Sequence, residues 1–190
     1  MSPPRDHLEP QRLLEHAKRL LDDRGDRGRP FDIDLRRAVS AAYYALFHQL
    51  TASTATQVFG DLDAARGYVV RWLNHGDVAQ AARLVSTFSS RSELDPRWQA
   101  EKRAMWHLVH SAPPTSELLS VCETFVDLQQ RRHDADYDRA RRVSKPDATQ
   151  AIADAEQALQ SIQTLVDTSD PAWSVFLGLI AFSANRVPRP

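Results

Sequence analysis

The chain has 190 residues, enough for one large domain with a sizeable core or for a domain with an insertion. Lysine and arginine total 24 against 25 acidic residues, a formal net charge of −1 that excludes a general basic field, so any affinity for nucleic acid has to come from a local patch. A hydrophobic fraction of 42% and a charged fraction of 26% argue against wholesale disorder. The single cysteine, Cys122, excludes an internal disulfide and a cysteine-based zinc cluster, and it is compatible with a cytoplasmic location.

The first two predicted helices form an antiparallel hairpin. The first covers about residues 6–23, and its buried face is formed by Leu8, Leu13, Leu14, Ala17, Leu20 and Leu21. A loop with two glycines ends at Pro30, and Asp32 or Asp34 caps the second helix. Helical spacing places one buried stripe on that helix: Leu35, Val39, Ala42, Leu46 and Leu50. A second ridge of Arg37, Ala41, Tyr44 and His48 has a composition typical of a cleft or an interface.

The middle of the chain, residues 53–114, has a different texture and is predicted to be a helical insertion. Short helices are expected at about 62–72, 77–88 and 96–110, separated by polar breaks. Thr115 or Ser116 then caps a helix with an apolar face that extends to Leu128. A further helix covers about 147–167 with one apolar stripe. No alternating strand pattern occurs, so the predicted fold class is all-α.

The most apolar segment, residues 172–184, is shorter than the roughly 20 residues that a membrane-spanning helix needs. We therefore expect it to be a docking helix, packed either into a groove of this chain or against a partner. The polar and charged N-terminus carries no secretory signal. Together these features favour a cytoplasmic protein without membrane association.

Ionisable side chains concentrate after the helix that passes Leu128. Arg132 and Asp136 are four residues apart, so they form either a surface ion pair or part of an anion site. If Arg37 reaches the same place, the two arginines form an anion clamp that Tyr44 and His48 line. In the alternative, the tyrosine and the histidine only satisfy each other.

The same region carries a local positive balance that could hold a phosphate backbone. Six cations against three carboxylates give +3, and they are Arg131, Arg132, Arg139, Arg141, Arg142 and Lys145 against Asp134, Asp136 and Asp138. In the other interpretation this stretch is a solvated loop. No metal site or cofactor is predicted, because His107 and His110 lack a third ligand at suitable spacing and no Gly-rich phosphate loop is present.

Two segments resemble the HEPN family. Arg36-Arg37 with the run from Val39 to His48 is similar to the second HEPN helix, and 128–138 with the alanine-rich helix after it is similar to the third and fourth. The resemblance implies an up-and-down helical bundle, and it covers roughly 5–52 and 115–168. It divides a single domain, 1–190, into core helices one and two (5–52), the insertion (53–114), core helices three and four (115–168) and a C-terminal helix and tail (169–190). It also implies a homodimer with a groove in which RNA or nucleotides act.

Many HEPN proteins are metal-independent ribonucleases of toxin–antitoxin or phage-defence systems. Their motif is Arg, a polar residue, three further positions and His, in which the arginine stabilises charge on the phosphate and the histidine carries protons. Here Arg132 and His133 fit the first two positions, but Tyr137 stands in the place of the catalytic histidine. A free phenol is mostly protonated at neutral pH, Asp136 is a weak base, and His133 is turned about 100° from Arg132 around the helix.

The resemblance therefore implies binding of RNA or a nucleotide, with Arg132, Arg37, Asp136, Tyr44 and His48 as ligand-binding residues and catalysis weak or absent. Two alternatives stay open. One is an endoribonuclease toxin that uses Arg132, His133 and Tyr137. The other is a non-catalytic interaction module for a protein partner such as an antitoxin related to nucleotidyltransferases.

Overall fold

The computed structural model describes residues 9–22, 28, 30–60, 62–138 and 140–183, apart from the side chains of 63–65, 68 and 69. These residues form eight α-helices and no strand, so the predicted all-α class is confirmed. The helices are α1 (Pro10–Asp22), α2 (Asp32–Phe59), α3 (Asp63–Trp72), α4 (His75–Ser89), α5 (Ala100–Ser111), α6 (Ser116–Tyr137), α7 (Lys145–Asp167) and α8 (Pro171–Ser183). Leu8, Arg139 and most of the predicted loop before Pro30 lie outside the described residues.

Helix starts follow local hydrogen-bonding chemistry. The carboxylate of Asp34 accepts a hydrogen bond of 3.2 Å from the main-chain N–H of Phe31, the residue before α2. Of the two predicted capping residues, Asp34 therefore makes this contact, from the first turn of the helix. Helix α7 begins at Lys145, two residues before the predicted start. The reason is that Ser144 and Asp147 form a capping box: the Ser144 N–H donates to Asp147 at 3.0 Å and the Asp147 N–H donates to the Ser144 hydroxyl at 3.2 Å.

The chain divides into two compact units, and the first contains residues 1–49 and 127–159. Its core includes Leu14, Ala17 and Leu21 of α1 and the predicted stripe of α2 as far as Leu46. Leu13 and Leu20, which were also predicted to be buried, are half-buried at the edge of this face. Helices α1 and α7 are further joined by an ion pair between Lys18 and Glu156. This unit contains all the predicted site residues.

The second unit contains residues 50–126 and 160–190, and the predicted insertion falls within it. Helices α4, α5 and α8 contact one another there. Helix α8 buries Trp173, Phe176, Leu177 and Ile180, so the predicted docking helix packs into its own chain. Among the described residues no helix is both long and apolar enough to cross a bilayer.

Candidate functional site

The candidate site is built where the first half of α2 meets the last two turns of α6. The Arg132 guanidinium donates from Nη2 to the Tyr44 hydroxyl at 3.0 Å, and its Nε lies 2.7 Å from Oδ2 of Asp136. The Nε atom is buried, and its contact with the carboxylate is a charge contact rather than an aligned hydrogen bond. The remaining nitrogen, Nη1, makes no hydrogen bond with any residue that the structure describes.

Aromatic rings surround this guanidinium. The Cζ atom of Arg132 lies 5.5 Å from the ring centroid of Tyr44 and 5.6 Å from that of Tyr137, within the range of cation–π attraction. His48 stacks on Tyr44 with a centroid separation of 6.0 Å. The structure thus brings together Arg132, Tyr44, Tyr137 and His48, which we call the Arg132 cluster, with Asp136 as its anionic member.

Both carboxylate oxygens of Asp136 are engaged. Oδ2 faces Arg132, and Oδ1 accepts a hydrogen bond of 2.7 Å from the hydroxyl of Ser40, a buried residue of α2. Because its two oxygens are held by Arg132 and by Ser40, Asp136 is positioned to orient the Arg132 guanidinium. Ser40 was absent from the sequence prediction. The sequence feature that could have identified Ser40 is its position four residues before Tyr44, which places both on the same helix face.

Electrostatics keep Arg132 charged. Partial burial by itself lowers the pKa of this guanidinium, but the neighbouring Tyr44, Asp136 and Tyr137 outweigh burial, so the net pKa is raised. Tyr43, the fully buried neighbour of Tyr44, has its pKa raised by burial despite a hydrogen bond to Gln129. Its phenol therefore stays neutral and contributes packing, with its ring centroid 5.4 Å from that of Tyr44.

The two adjacent arginines of α2 have different surroundings. Arg36 pairs with Asp32 at 2.6 Å and donates to the carbonyl oxygens of Ala135 at 2.7 Å, Asp138 at 3.1 Å and Arg141. It thus satisfies carbonyl groups at the end of α6, where a helix leaves acceptors unpaired and favours a cation.

Arg37, which was predicted to bind the ligand, is exposed and makes no hydrogen bond or ion pair within the described part of the chain. The ridge of α2 that contacts α6 runs through Arg36, Ser40 and Tyr44. The predicted ridge began with Arg37 and Ala41, each one residue after the observed position. One residue corresponds to a rotation of about 100° around the helix axis. The structure therefore leaves Arg37 outside the Arg132 cluster.

The remaining candidate, His133, lies on the outer side of α6. Its side chain is 66% exposed, and its ring centroid lies 5.1 Å from that of Tyr137. Among the described residues, the ring of this tyrosine is its link to the Arg132 cluster, in agreement with the rotation of one residue along a helix.

Most of the neighbouring positive charge is paired within the protein. Arg131 contacts Asp127 at 2.7 Å and Asp154 at 3.1 Å, and Arg141 contacts Asp134. Arg142 and Lys145 are exposed and form no ion pair with a described residue. The described cations of this stretch therefore divide into paired arginines with structural contacts and a smaller set that faces solvent, while Arg139 lies outside the described residues.

Three comparisons with known proteins add no relative. The chain matches no protein-family model, no curated protein and no solved structure. In the described residues no group of three or more His, Cys, Asp or Glu side chains has an arrangement that could hold a metal ion. The candidate site is the Arg132 cluster: a guanidinium in contact with two phenols and a carboxylate, and an imidazole stacked on one of the phenols.

Proposed function

We propose that this chain is a HEPN-like protein of a prokaryotic toxin–antitoxin or defence system that binds RNA or a nucleotide at the Arg132 cluster, with weak or no catalysis. The observation that supports this proposal best is the held guanidinium of Arg132. Tyr44 and Asp136 contact two of its nitrogens, and Nη1 forms no hydrogen bond with a described residue. An arginine oriented in this way loses little conformational entropy when it binds a phosphate oxygen.

The aromatic rings suit the rest of such a ligand. Tyr137 is 64% exposed beside Arg132, so its face is accessible to an unstacked base. Proteins that bind single-stranded RNA commonly stack bases on such rings, and each stacked base contributes about 1–3 kcal/mol.

The charge balance favours a site completed by a second copy. Asp136 offsets the charge of Arg132, so one cluster attracts a polyanion weakly. The exposed cations of the same unit, Arg37, Arg142 and Lys145, supply further positive charge. In a homodimer, clusters from two protomers would line one groove and double this charge. The dimer follows from the HEPN resemblance and is part of the proposal.

Weak catalysis is proposed because the cluster lacks an efficient proton carrier. Asp136 is engaged on both sides, and a phenol at the position of Tyr137 is a poor base at neutral pH. A metal-independent endoribonuclease is the second candidate. It is supported by the exposed imidazole of His133 next to Tyr137, which would have to carry the proton.

The direct test is binding of a fluorescein-labelled single-stranded 12-mer RNA, measured by fluorescence anisotropy at several salt concentrations. We expect Arg132→Ala to weaken binding about 10- to 100-fold, since hydrogen bonds to charged groups contribute about 1.5–3 kcal/mol. Arg37→Ala should weaken it less and reduce the salt dependence. Arg97→Ala, which removes an exposed arginine of the second unit, is the matched control and should leave binding unchanged.

Equal loss in the Arg97 and Arg132 variants would contradict the proposed site. The same RNA, incubated without metal and run on a denaturing gel, tests cleavage. Products that vanish in both Arg132→Ala and His133→Ala would favour the nuclease. Absence of RNA binding, together with capture of a protein partner that Arg132→Ala abolishes, would favour the interaction module.

A further inference from the structure

The second unit contains a cavity of about 420 Å³ whose polar lining includes three serines and a glutamate. It lies between the end of α4, the end of α5 and the start of α6. Its volume falls within the range of about 300–1,000 Å³ that small-molecule sites occupy. Because all its lining residues belong to one unit, the cavity is independent of the Arg132 cluster.

Three serines line the cavity from the α4 side, and their hydroxyl protons are already used. The hydroxyl of Ser86 donates to the Ala82 carbonyl at 3.1 Å, that of Ser89 to the Ser86 carbonyl at 3.0 Å, and that of Ser90 to the Thr87 carbonyl at 3.0 Å. A hydroxyl with its proton committed to a helix carbonyl presents only lone pairs outward. The hydroxyl oxygen of each serine therefore has only acceptor capacity left for a ligand.

The opposite wall adds a carboxylate and no free donor. Glu123 of α6 is exposed and forms no hydrogen bond or ion pair with the described residues. Pro113 and Pro114 have no main-chain N–H to offer. Both ring nitrogens of His110 are turned to main-chain carbonyls, with Nδ1 2.9 Å from Trp106 O and Nε2 3.0 Å from Arg91 O.

The rest of the lining is apolar. Val109 and Leu119 contribute aliphatic surface, and the proline rings continue it. The ring of His110 stacks on Trp106 with a centroid separation of 3.7 Å, so this wall is held in place. An aliphatic chain can pack on these walls. A positively charged head group that donates hydrogen bonds can contact the serine oxygens and Glu123.

From this lining we infer that the cavity binds an organic cation, a primary ammonium group on an aliphatic chain. The ammonium donates to the serine oxygens and pairs with Glu123, and the methylene groups pack on Val109 and Leu119. An anion is disfavoured because the side-chain donors of the lining are already used within the protein and Glu123 places a carboxylate against it. The same chemistry occurs in free aliphatic diamines and in lysine side chains, and the experiment separates these two sources.

The test uses the full chain and isothermal titration calorimetry with 1,5-diaminopentane, 1-pentanol as its neutral counterpart, and N-acetyl-lysine methylamide. We expect at least one amine to bind and the alcohol to bind at least ten-fold more weakly. A diamine that binds more tightly than the lysine derivative indicates a free polyamine as the source, and the reverse order indicates a lysine side chain. Either order supports the inference.

Glu123→Gln keeps the size of the side chain and removes its charge, so amine affinity should fall about 10- to 100-fold. Glu101→Gln, which removes an exposed carboxylate of α5 outside the cavity lining, is the matched control and should bind the amine like the unmodified chain. Circular dichroism checks that both variants fold. Failure of both amines to bind overturns the inference, as does equal binding of pentanol or an unchanged affinity in Glu123→Gln.

Discussion

Two helix contacts, one in each unit, are made with different chemistry. In the first unit, α2 and the end of α6 are joined by side-chain hydrogen bonds: Arg36 donates to a main-chain carbonyl, Ser40 donates to Asp136, and Arg132 donates to Tyr44. In the second unit, α8 meets α4 and α5 with Trp173, Phe176 and Ile180 among its buried side chains. Apolar contact depends on area and tolerates small rotations, whereas each polar contact depends on one atom's position. The polar contact can therefore orient a functional group, and the apolar contact mainly supplies stability.

The largest expected effect tests the apolar contact. Phe176→Ala removes a fully buried ring from α8 and should lower the free energy of unfolding by about 3–5 kcal/mol, measured by urea denaturation. Phe182 lies on the same helix but is 62% exposed, so Phe182→Ala should change stability by no more than about 0.5 kcal/mol. Similar losses in the two variants would mean that α8 is not held by its buried face.

The second prediction compares the adjacent arginines of α2. Arg36→Met should lower the free energy of unfolding by about 2 kcal/mol, because charged hydrogen bonds to three carbonyl groups and an ion pair to Asp32 are lost. Arg37→Met should change it by less than about 0.5 kcal/mol, because this side chain is exposed and unpaired among the described residues. If the order were reversed, the contact between α2 and α6 would have the rotation that the sequence ridge predicted.

The third prediction concerns a polar helix end of the first unit. Ser144→Ala removes the cap of α7 and should destabilise the protein by about 1 kcal/mol at pH 7. Hydrogen bonds from the Ser144 hydroxyl and N–H lower the pKa of Asp147. A carboxyl with a lower pKa in the folded state stabilises the protein above its unfolded value, and this stabilisation is lost as the pH falls through the folded value.

The difference between Ser144→Ala and the unmodified chain should therefore shrink below about pH 4, as measured by urea denaturation between pH 7 and pH 3. Ser116→Ala is the control, because the hydroxyl of Ser116 donates to Glu117 and caps no helix N–H. If the stability difference between Ser144→Ala and the unmodified chain stayed constant with pH, the capping contribution would not depend on the ionisation of Asp147.

The smallest effect concerns a helix end of the second unit. Helix α7 is followed by Ser169, which lies in the left-handed region at φ 52°. There the N–H of Asp170 donates to the Leu165 carbonyl, and the N–H of Ser169 donates to the Val166 carbonyl. This is a Schellman motif, in which glycine is the preferred residue. Ser169→Gly should stabilise the protein by about 0.5 kcal/mol, seen as a rise in Tm.

The matched control is Ser90→Gly at the end of α4, where φ is −83° and a glycine relieves no strain. That variant should give no stabilisation. An equal rise in Tm for the two variants would show that the gain does not come from the left-handed conformation of Ser169.

The sequence alone determined the helices and their apolar faces. The stripe from Leu35 to Leu50 is buried as predicted, and the apolar segment after Pro171 forms a helix docked on its own chain. These features depend on hydrophobic periodicity, which is local and is averaged over many residues. The predicted start of α7 was two residues too late. The start is fixed by the capping box of Ser144 and Asp147, which consists of two specific hydrogen bonds that periodicity does not reveal.

Only the tertiary structure decided which polar side chains meet. Arg36 rather than Arg37 contacts the end of α6, and Ser40, which the sequence analysis did not single out, holds the second oxygen of Asp136. Neighbouring residues on a helix differ by about 100° in direction, so the partner of each side chain depends on how far the two packed helices are rotated. That rotation is set by the packing of both helices together, and no single stretch of sequence specifies it.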